Sequence, residues 1–462
     1  METKFSEEKL KESARKTSIQ EGAAASVADG FGIRNIIPYA VAMGASNQII
    51  GLLSSVPSLL GNLSQLFTHN LMRKHSRKNI ISVSVFSQAL MWLFLIIPGF
   101  MYFILEKDSE ISGTLLLIIY TFLIIAGSIG GPAWTSWMKD IIPLKNGEYF
   151  GKRNKITGSI SLIAMLLAGF LLDYFKNTKI FFGFFILFFL SFIFRGFSGY
   201  LLLRKKYEPE FRQSKDHYFS LLQFLKKMPH TNFGRFTIFI SLISFTVALS
   251  APFFAVYMLK DLNFSYVTFT LISLSASLTT IFFMPIWGKL SDSYGTVKIM
   301  KVCGFFISFI PIFWIFSYFL ETSLLSIGYL FIVESFSGFL WAGFNLANGN
   351  FIYNTVSKEK LAIVISYFGL INGFSVFLGA NIGGVISSMN FSLFSLSPIL
   401  FLFLLSSIIR FLFFILFVNK INEVKEVEKF SSKEFGLKLT KLSLNGLFGY
   451  FNVRFFKPKI VE

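Results

Sequence analysis

The chain has 462 residues, 53% of them hydrophobic and 15% charged, and its 61 phenylalanines exceed anything usual in a soluble domain. Its formal charge of +18 sits in loops and tails, where anionic lipid headgroups attract it, so the excess speaks for a membrane surface and against nucleic acid. One cysteine, Cys303, excludes an internal disulfide framework.

Residues 1–20 mix acidic and basic side chains (Lys4, Glu7, Glu8, Lys9, Arg15, Lys16) without an apolar core, which predicts a cytoplasmic segment and not a cleaved signal. Twelve apolar runs follow, at 21–43, 47–69, 79–105, 112–138, 155–173, 179–203, 233–259, 264–287, 298–320, 324–354, 361–388 and 392–418. About 20 apolar residues make a helix long enough to cross a bilayer, so the fold expected is all-α, integral to the membrane, with 12 transmembrane helices. The first run is weak, because Asp29, Arg34, Asn35 and several glycines interrupt it. Charge settles its status. Arg15 and Lys16 precede it, and Arg73, Lys74, Arg77 and Lys78 follow the second run. Both groups belong on the cytoplasmic side, so an even number of crossings must separate them.

Basic residues keep to alternate connections thereafter. Lys139, Lys152, Arg153, Lys289, Lys298, Lys358 and Lys360 fall on one side, and only Lys107, Lys176, Lys179 and Lys260 on the other. A multi-pass plasma-membrane protein with both termini cytoplasmic is expected. The polar loop 204–232 separates a six-helix bundle at 21–203 from another at 233–418, and a basic tail fills 419–462. That tail carries Phe430, Phe435, Leu437, Leu439 and Leu444, a pattern open to interfacial lipid contact or to a solvated chain. The halves echo each other at an offset of about 215 residues: Arg195 corresponds to Arg410, the basic loop after the second run to that after the eighth, and the turn at Pro143 to Ser357. Such pseudo-repeats build a central site that opens to each side in turn.

After the eighth run the chain reads Gly288-Lys289-Leu290-Ser291-Asp292-Ser293-Tyr294-Gly295. This resembles the signature loop of the major facilitator superfamily, G-x-L-[AS]-D-x-x-G. In the first half the corresponding stretch, His69 to Arg77, puts Arg73 where relatives have the aspartate. Gly147-Glu148-Tyr149-Phe150-Gly151-Lys152-Arg153-Asn154 resembles the loop after helix 4 in a prokaryotic subgroup of that superfamily. The resemblance implies a 6+6 helical fold, a secondary transporter, and a cavity lined by helices 1, 4, 7 and 10. It names no substrate.

An ionisable side chain at bilayer depth costs a few kcal/mol and calls for a partner, water or a function. Glu334 lies about ten residues into the tenth run, near the midplane at about 1.5 Å per residue. A carboxylate there is expected to carry the coupling proton, with Asp29 as the second proton-coupling candidate. The substrate cavity is expected to involve Arg34, Asn35, Trp134, Glu334, Trp341, Asn345 and Asn372. Glu334, Gly338, Trp341 and Asn345 share one helical face, and Gly338 leaves room beside the carboxylate. Gating is expected at Gly288, Asp292, Gly295, Arg73, Asp140 and Arg153. Arg195 and Arg410 read as structural, Asp173 as a capping or solvated helix end, and most phenylalanines as lipid-facing.

The four histidines lack metal-site spacing, and no phosphate-binding loop or nucleophile elbow occurs. No metal, cofactor or nucleic acid is expected, and no enzymatic activity. The function expected is secondary active transport of a small organic solute by a proton-coupled monomer, as symporter or antiporter. The alternatives are drug or lipid efflux on the same fold, passive facilitation, and a membrane receptor that does not transport.

Overall fold

The computed structural model describes residues 2–142, 146–204, 220–320, 323–357, 360–390, 396–424, 427, 439–440 and 442. The turn at Pro143, most of the central loop, and Phe430, Phe435, Leu437 and Leu444 of the tail lie outside the described residues. Among those described, the regular elements are all helices.

Six traverses make up the first half. The first combines α1 (Glu2–Phe31), a 3-10 turn (Ile33–Asn35) and α2 (Ile36–Ala42). Then come α3 (Asn47–Lys74), α4 (Arg77–Phe94) continued by α5 (Ile96–Phe103), α6 (Ser109–Ile141), α7 (Asn146–Lys176) and α8 (Ile180–Arg204). A short α9 (Leu221–Lys227) leads to α10 (Asn232–Val256), α11 (Tyr266–Tyr294), α12 (Thr296–Ile307) continued by α13 (Ile310–Phe316), α14 (Ser323–Thr355), α15 (Leu361–Ser388) and α16 (Pro398–Val418). Eleven of these traverses are long and apolar enough to cross a membrane, and the first is not, for the charges that dilute it. The mixed-charge segment before it is not a separate tail, because α1 begins at Glu2 and runs unbroken into the first traverse.

Local chemistry sets where helices start. Ser46 accepts from the Ile49 N–H, Ser76 from the Asn79 N–H and Asp108 from the Glu110 N–H, each satisfying a donor that the first helical turn leaves free. Gly295 stands at φ 90°, where a side chain would be strained, and makes the sharp turn into α12.

The chain divides into two compact units. One takes Met1–Asp216, Ser244–Leu271 and Ser366–Ser406, and the other takes His217–Ile243, Ile272–Ile365 and Ser407–Glu462. In the first, α1 packs on α7 and α8, α3 on α6, and α4 on both α6 and α8. Its core includes Tyr39, whose ring centroid lies 4.8 Å from Phe184 and 4.9 Å from Phe188. In the second, α12 packs on α14, and Phe236 stacks on Phe351 at 4.5 Å. The phenylalanines divide between core and surface. Phe184, Phe188, Phe236, Phe239 and Phe351 are buried, while others such as Phe122 and Phe170 face outward.

Candidate functional site

In the first unit the polar side chains gather on the broken first traverse. Gly30 lies against the backbone of Ser161 and Gly32 against the indole of Trp92, so neither position has room for a side chain. The helix changes to 3-10 winding immediately afterwards, and Asn35 repairs the break: its amide donates to the carbonyls of Gly30 (3.2 Å) and Phe31 (2.9 Å). Asn35 is buried and turned back on its own helix. Asp29 and Arg34, one on each side of the break, both keep exposed surface although they belong to a bundled traverse. The guanidiniums of Arg195 and Arg34 act on the Asp29 carboxylate through space, and that carboxylate in turn acts on Tyr120 of α6. Arg195 Nε is fixed by Gln88 Oε1 of α4 at 2.9 Å, and Gln88 donates to the Leu123 carbonyl of α6. Arg195 is thus tied to α4 through Gln88 and acts on Asp29 from there.

Toward the ends that carry the basic loops, a second polar layer lies deeper in the same unit. Arg153 approaches Glu21 at 3.8 Å, donates to the Ser18 carbonyl, and stacks over the ring of Trp134 with its carbon 4.7 Å from the centroid. Glu21 is buried and accepts from Ser198 at 3.2 Å. Trp134 is accordingly a platform for Arg153. Asp140 pairs with Arg77 at 2.6 Å, and Arg77 also donates to Ser136. Arg77 is fully buried, whereas Arg73, the residue singled out for that loop, is exposed on the last turn of α3.

At the opposite ends the first unit brings together helices from both halves of the sequence. Asn47 of α3 donates to the Ser387 carbonyl of α15 at 2.9 Å, and Asn381 reaches Ser55 at 3.3 Å. Gly51 lies against the Ala380 carbonyl, and Gly384 against Gln48. Asp173 of α7 accepts from the Tyr266 and Val267 N–H groups at 2.6 and 2.8 Å, capping α11 and not its own helix. Lys176 donates to the Phe264 carbonyl, and Gly169 packs on Thr270. Asn372 is half-buried on α15, and its Oδ1 has no hydrogen-bond partner among the described residues.

The second unit holds Glu334, which accepts from the indole N–H of Trp314 at 3.1 Å. α14 is 33 residues long with Phe339 at its middle, so Glu334 lies five residues, or about 7.5 Å, toward the end away from the basic loops. It sits in that half of the helix. Gly338 serves another purpose than expected. It lies against the Ala276 carbonyl, so α11 and α14 touch backbone to backbone, and Thr280 donates to the Gly338 carbonyl at 2.9 Å. Trp341 packs edge-on to Phe344, Asn345 is exposed, and Asn348 Oδ1 is buried without a partner among the described residues.

The signature loop closes the second unit's basic end. Asp292 is exposed on the last turn of α11, and Gly288 leaves space beside Leu346. The carboxylate that meets the N-terminus of α12 belongs to Glu423: it accepts from the Val297 N–H at 2.8 Å and from the Thr296 hydroxyl at 3.1 Å. Asn422 and Asn232 exchange two further hydrogen bonds, so the chain after α16 is tied across this end. Glu21, Gln88 and Glu423 are polar residues that sequence reading does not single out, and Arg77 stands out there only as a loop charge. Glu21 had a signal, since it stands before an alanine-rich run inside the first traverse, and Glu423 had none.

The Major Facilitator Superfamily sequence model matches residues 22–380 and 236–456. Solved structures give the same fold. The nucleoside transporter NupG superposes with a TM-score of 0.65 at 14% identity, covering 89% of this chain and 98% of that one. A bacterial homolog of the human lysosomal transporter Spinster gives 0.59 at 14%, covering 95% and 98%. A bacterial homologue of the iron transporter ferroportin, inward-facing, gives 0.61 at 13%, covering 88% and 98%. No curated protein sequence matches the chain.

Proposed function

The chain belongs to the major facilitator superfamily, a family of multi-pass membrane transporters, and on that premise we propose that it moves a small polar organic solute by proton-coupled alternating access. Its work is transport and not enzymatic chemistry. The observation that carries the solute reading is the break in the first traverse, where Asp29 and Arg34 keep exposed surface at bilayer depth. Charges so placed are costly unless they meet a ligand, water or each other, and discontinuous helices are where transporters bind charged groups. In this reading Arg34 receives an anionic group of the solute, with Asn372 as a supporting residue of the same unit, while Asn35 is spent on its own helix and Trp134 on Arg153. Glu334, held by the indole N–H of Trp314, carries the coupling proton, and Asp29 is its first-half counterpart. Asp140, Arg153, Arg73, Gly288, Asp292 and Gly295 act in gating on the basic side, which we assign to the cytoplasm of the plasma membrane.

The test is reconstitution of the full chain as a monomer in liposomes, with a panel of labelled organic solutes and an imposed proton gradient. Glu334→Gln fixes the neutral form, so gradient-driven accumulation should vanish while counterflow exchange persists. Arg34→Ala should weaken binding of the accumulated solute by about ten- to hundredfold, the size of a lost charge-assisted hydrogen bond. Accumulation by Glu334→Gln would move coupling to Asp29 or to another ion. Solute binding without gradient-dependent movement would make the protein a receptor.

A further inference from the structure

Beside the polar interior, the first unit carries a cavity of about 1180 Å³ on the outward side of α4 and α6. That exceeds the ~300–1,000 Å³ usual for a small-molecule pocket. Its walls are apolar: Val83, Phe86 and Phe94 on α4 face Ile118, Phe122 and Ile125 on α6. Val83, Phe86, Phe94, Ile118 and Phe122 are all outward-exposed, so the cavity opens toward lipid and not toward the interior. It begins at His75 and Asn79, on the basic side, and reaches Phe94. Fifteen residues of helix separate Asn79 from Phe94, a rise of about 22 Å. Half a hydrocarbon core is about 15 Å, so the groove follows one leaflet from its headgroup level past the middle of the bilayer.

Two further observations identify the occupant. Arg73, Lys74 and His75 are exposed at the groove's basic mouth, beside the N-terminus of α4, whose first N–H groups favour an anion. The carboxylate of Asp140, at the neighbouring end of α6, is already taken by Arg77 and does not oppose an anion there. Ser82 lines the groove one helical turn deeper than Asn79, is 4% exposed, and its hydroxyl has no hydrogen-bond partner among the described residues. We propose that the groove between α4 and α6 is a binding site for one anionic phospholipid of the leaflet on the basic side. Its phosphate meets Arg73, Lys74 and His75, an ester carbonyl accepts from Ser82 Oγ, and an acyl chain lies between α4 and α6. An inner-leaflet lipid matches all three features at once: charge at the mouth, a lone donor a turn below, and an apolar trough beyond.

Native mass spectrometry of the delipidated full chain tests this, with titration by phosphatidylglycerol and by phosphatidylcholine of the same acyl chains. The first phosphatidylglycerol should bind about tenfold more tightly than phosphatidylcholine, on the scale of basic residues at a membrane surface. Arg73→Gln with Lys74→Gln should erase that preference. Ser82→Ala should weaken both lipids by about fivefold, the effect of one hydrogen bond. Ala126→Trp, which fills the trough from α6, should abolish the tight site. Equal binding of the two lipids by the unmodified chain would overturn the proposal. So would tight phosphatidylglycerol binding by a monodisperse Ala126→Trp protein, or a dimer whose formation excludes lipid.

Discussion

Two carboxylates do the same work at opposite ends of the helices. Asp173 accepts from the Tyr266 and Val267 N–H groups, and Glu423 from the Val297 N–H and the Thr296 hydroxyl. In each case a distant acid meets a helix N-terminus, where unpaired donors and the helix dipole both favour negative charge. Asp173→Asn keeps the shape, loses the charge and leaves one amide oxygen, at a cost of about 2 kcal/mol on the scale of hydrogen bonds to charged groups. The contact of α7 with α11 should therefore open more often. With Cys303→Ser as background, a membrane-impermeant thiol reagent should label Thr270→Cys roughly thirtyfold faster when Asp173→Asn is added. An unchanged rate would show that Asp173 does not hold α7 against α11. For Glu423→Ala the expected sign is faster amide hydrogen exchange at Val297 and its neighbours in the first turn of α12, with exchange in α14 unaffected. Asp173 was legible as a capping residue, but its partner 93 residues away was not. Arg77 and Arg73 show the same boundary. They stand four apart in one basic loop, and only packing on Ser136 and Asp140 chooses which is buried.

At the level of helices, hydropathy and charge alternation located nearly every traverse, because length and loop charge are properties of the chain alone. The first traverse needed the charge argument, and its break at Gly32 follows from crowding against Trp92, which no local pattern displays. Gly338 illustrates the rest. A glycine beside Glu334 reads equally as room for a carboxylate or for a neighbouring helix, and the Ala276 carbonyl at its face decides for the helix. Gly338→Ala should therefore push α11 from α14 and lose the Thr280 bond, destabilising by about 1–3 kcal/mol as overpacking does. Gly349, on the same helix, meets open space, so Gly349→Ala should be neutral or stabilising by up to about 1 kcal/mol through helix propensity. Thermal denaturation in detergent distinguishes the two. Equal melting temperatures for both variants would refute backbone contact at Gly338.

For the whole molecule, the contacts at the ends away from the basic loops join residues 88 to 340 positions apart in the sequence. α3 meets α15 through Asn47, Ser55 and Asn381, and α7 meets α11 through Asp173 and Lys176. Glycines at 51, 169 and 384 let these helices approach closely, yet the bonds are few and polar, a combination suited to a seam that closes firmly and still separates. Alternating access requires that separation once in every cycle, whereas a receptor or a static channel does not. Cysteines at Ser55→Cys and Asn381→Cys, with Cys303→Ser, place two thiols where the side chains now touch at 3.3 Å. Oxidation should join α3 to α15, provided the Cα atoms fall within the ~4.4–6.8 Å that a disulfide spans. Transport of the accumulated solute should then stop, and reduction should restore it. Solute binding measured from the basic side should survive the cross-link, because the lock leaves that side free. Full transport by a protein verified as cross-linked would show that the seam never opens, and the alternating-access reading would fall with it.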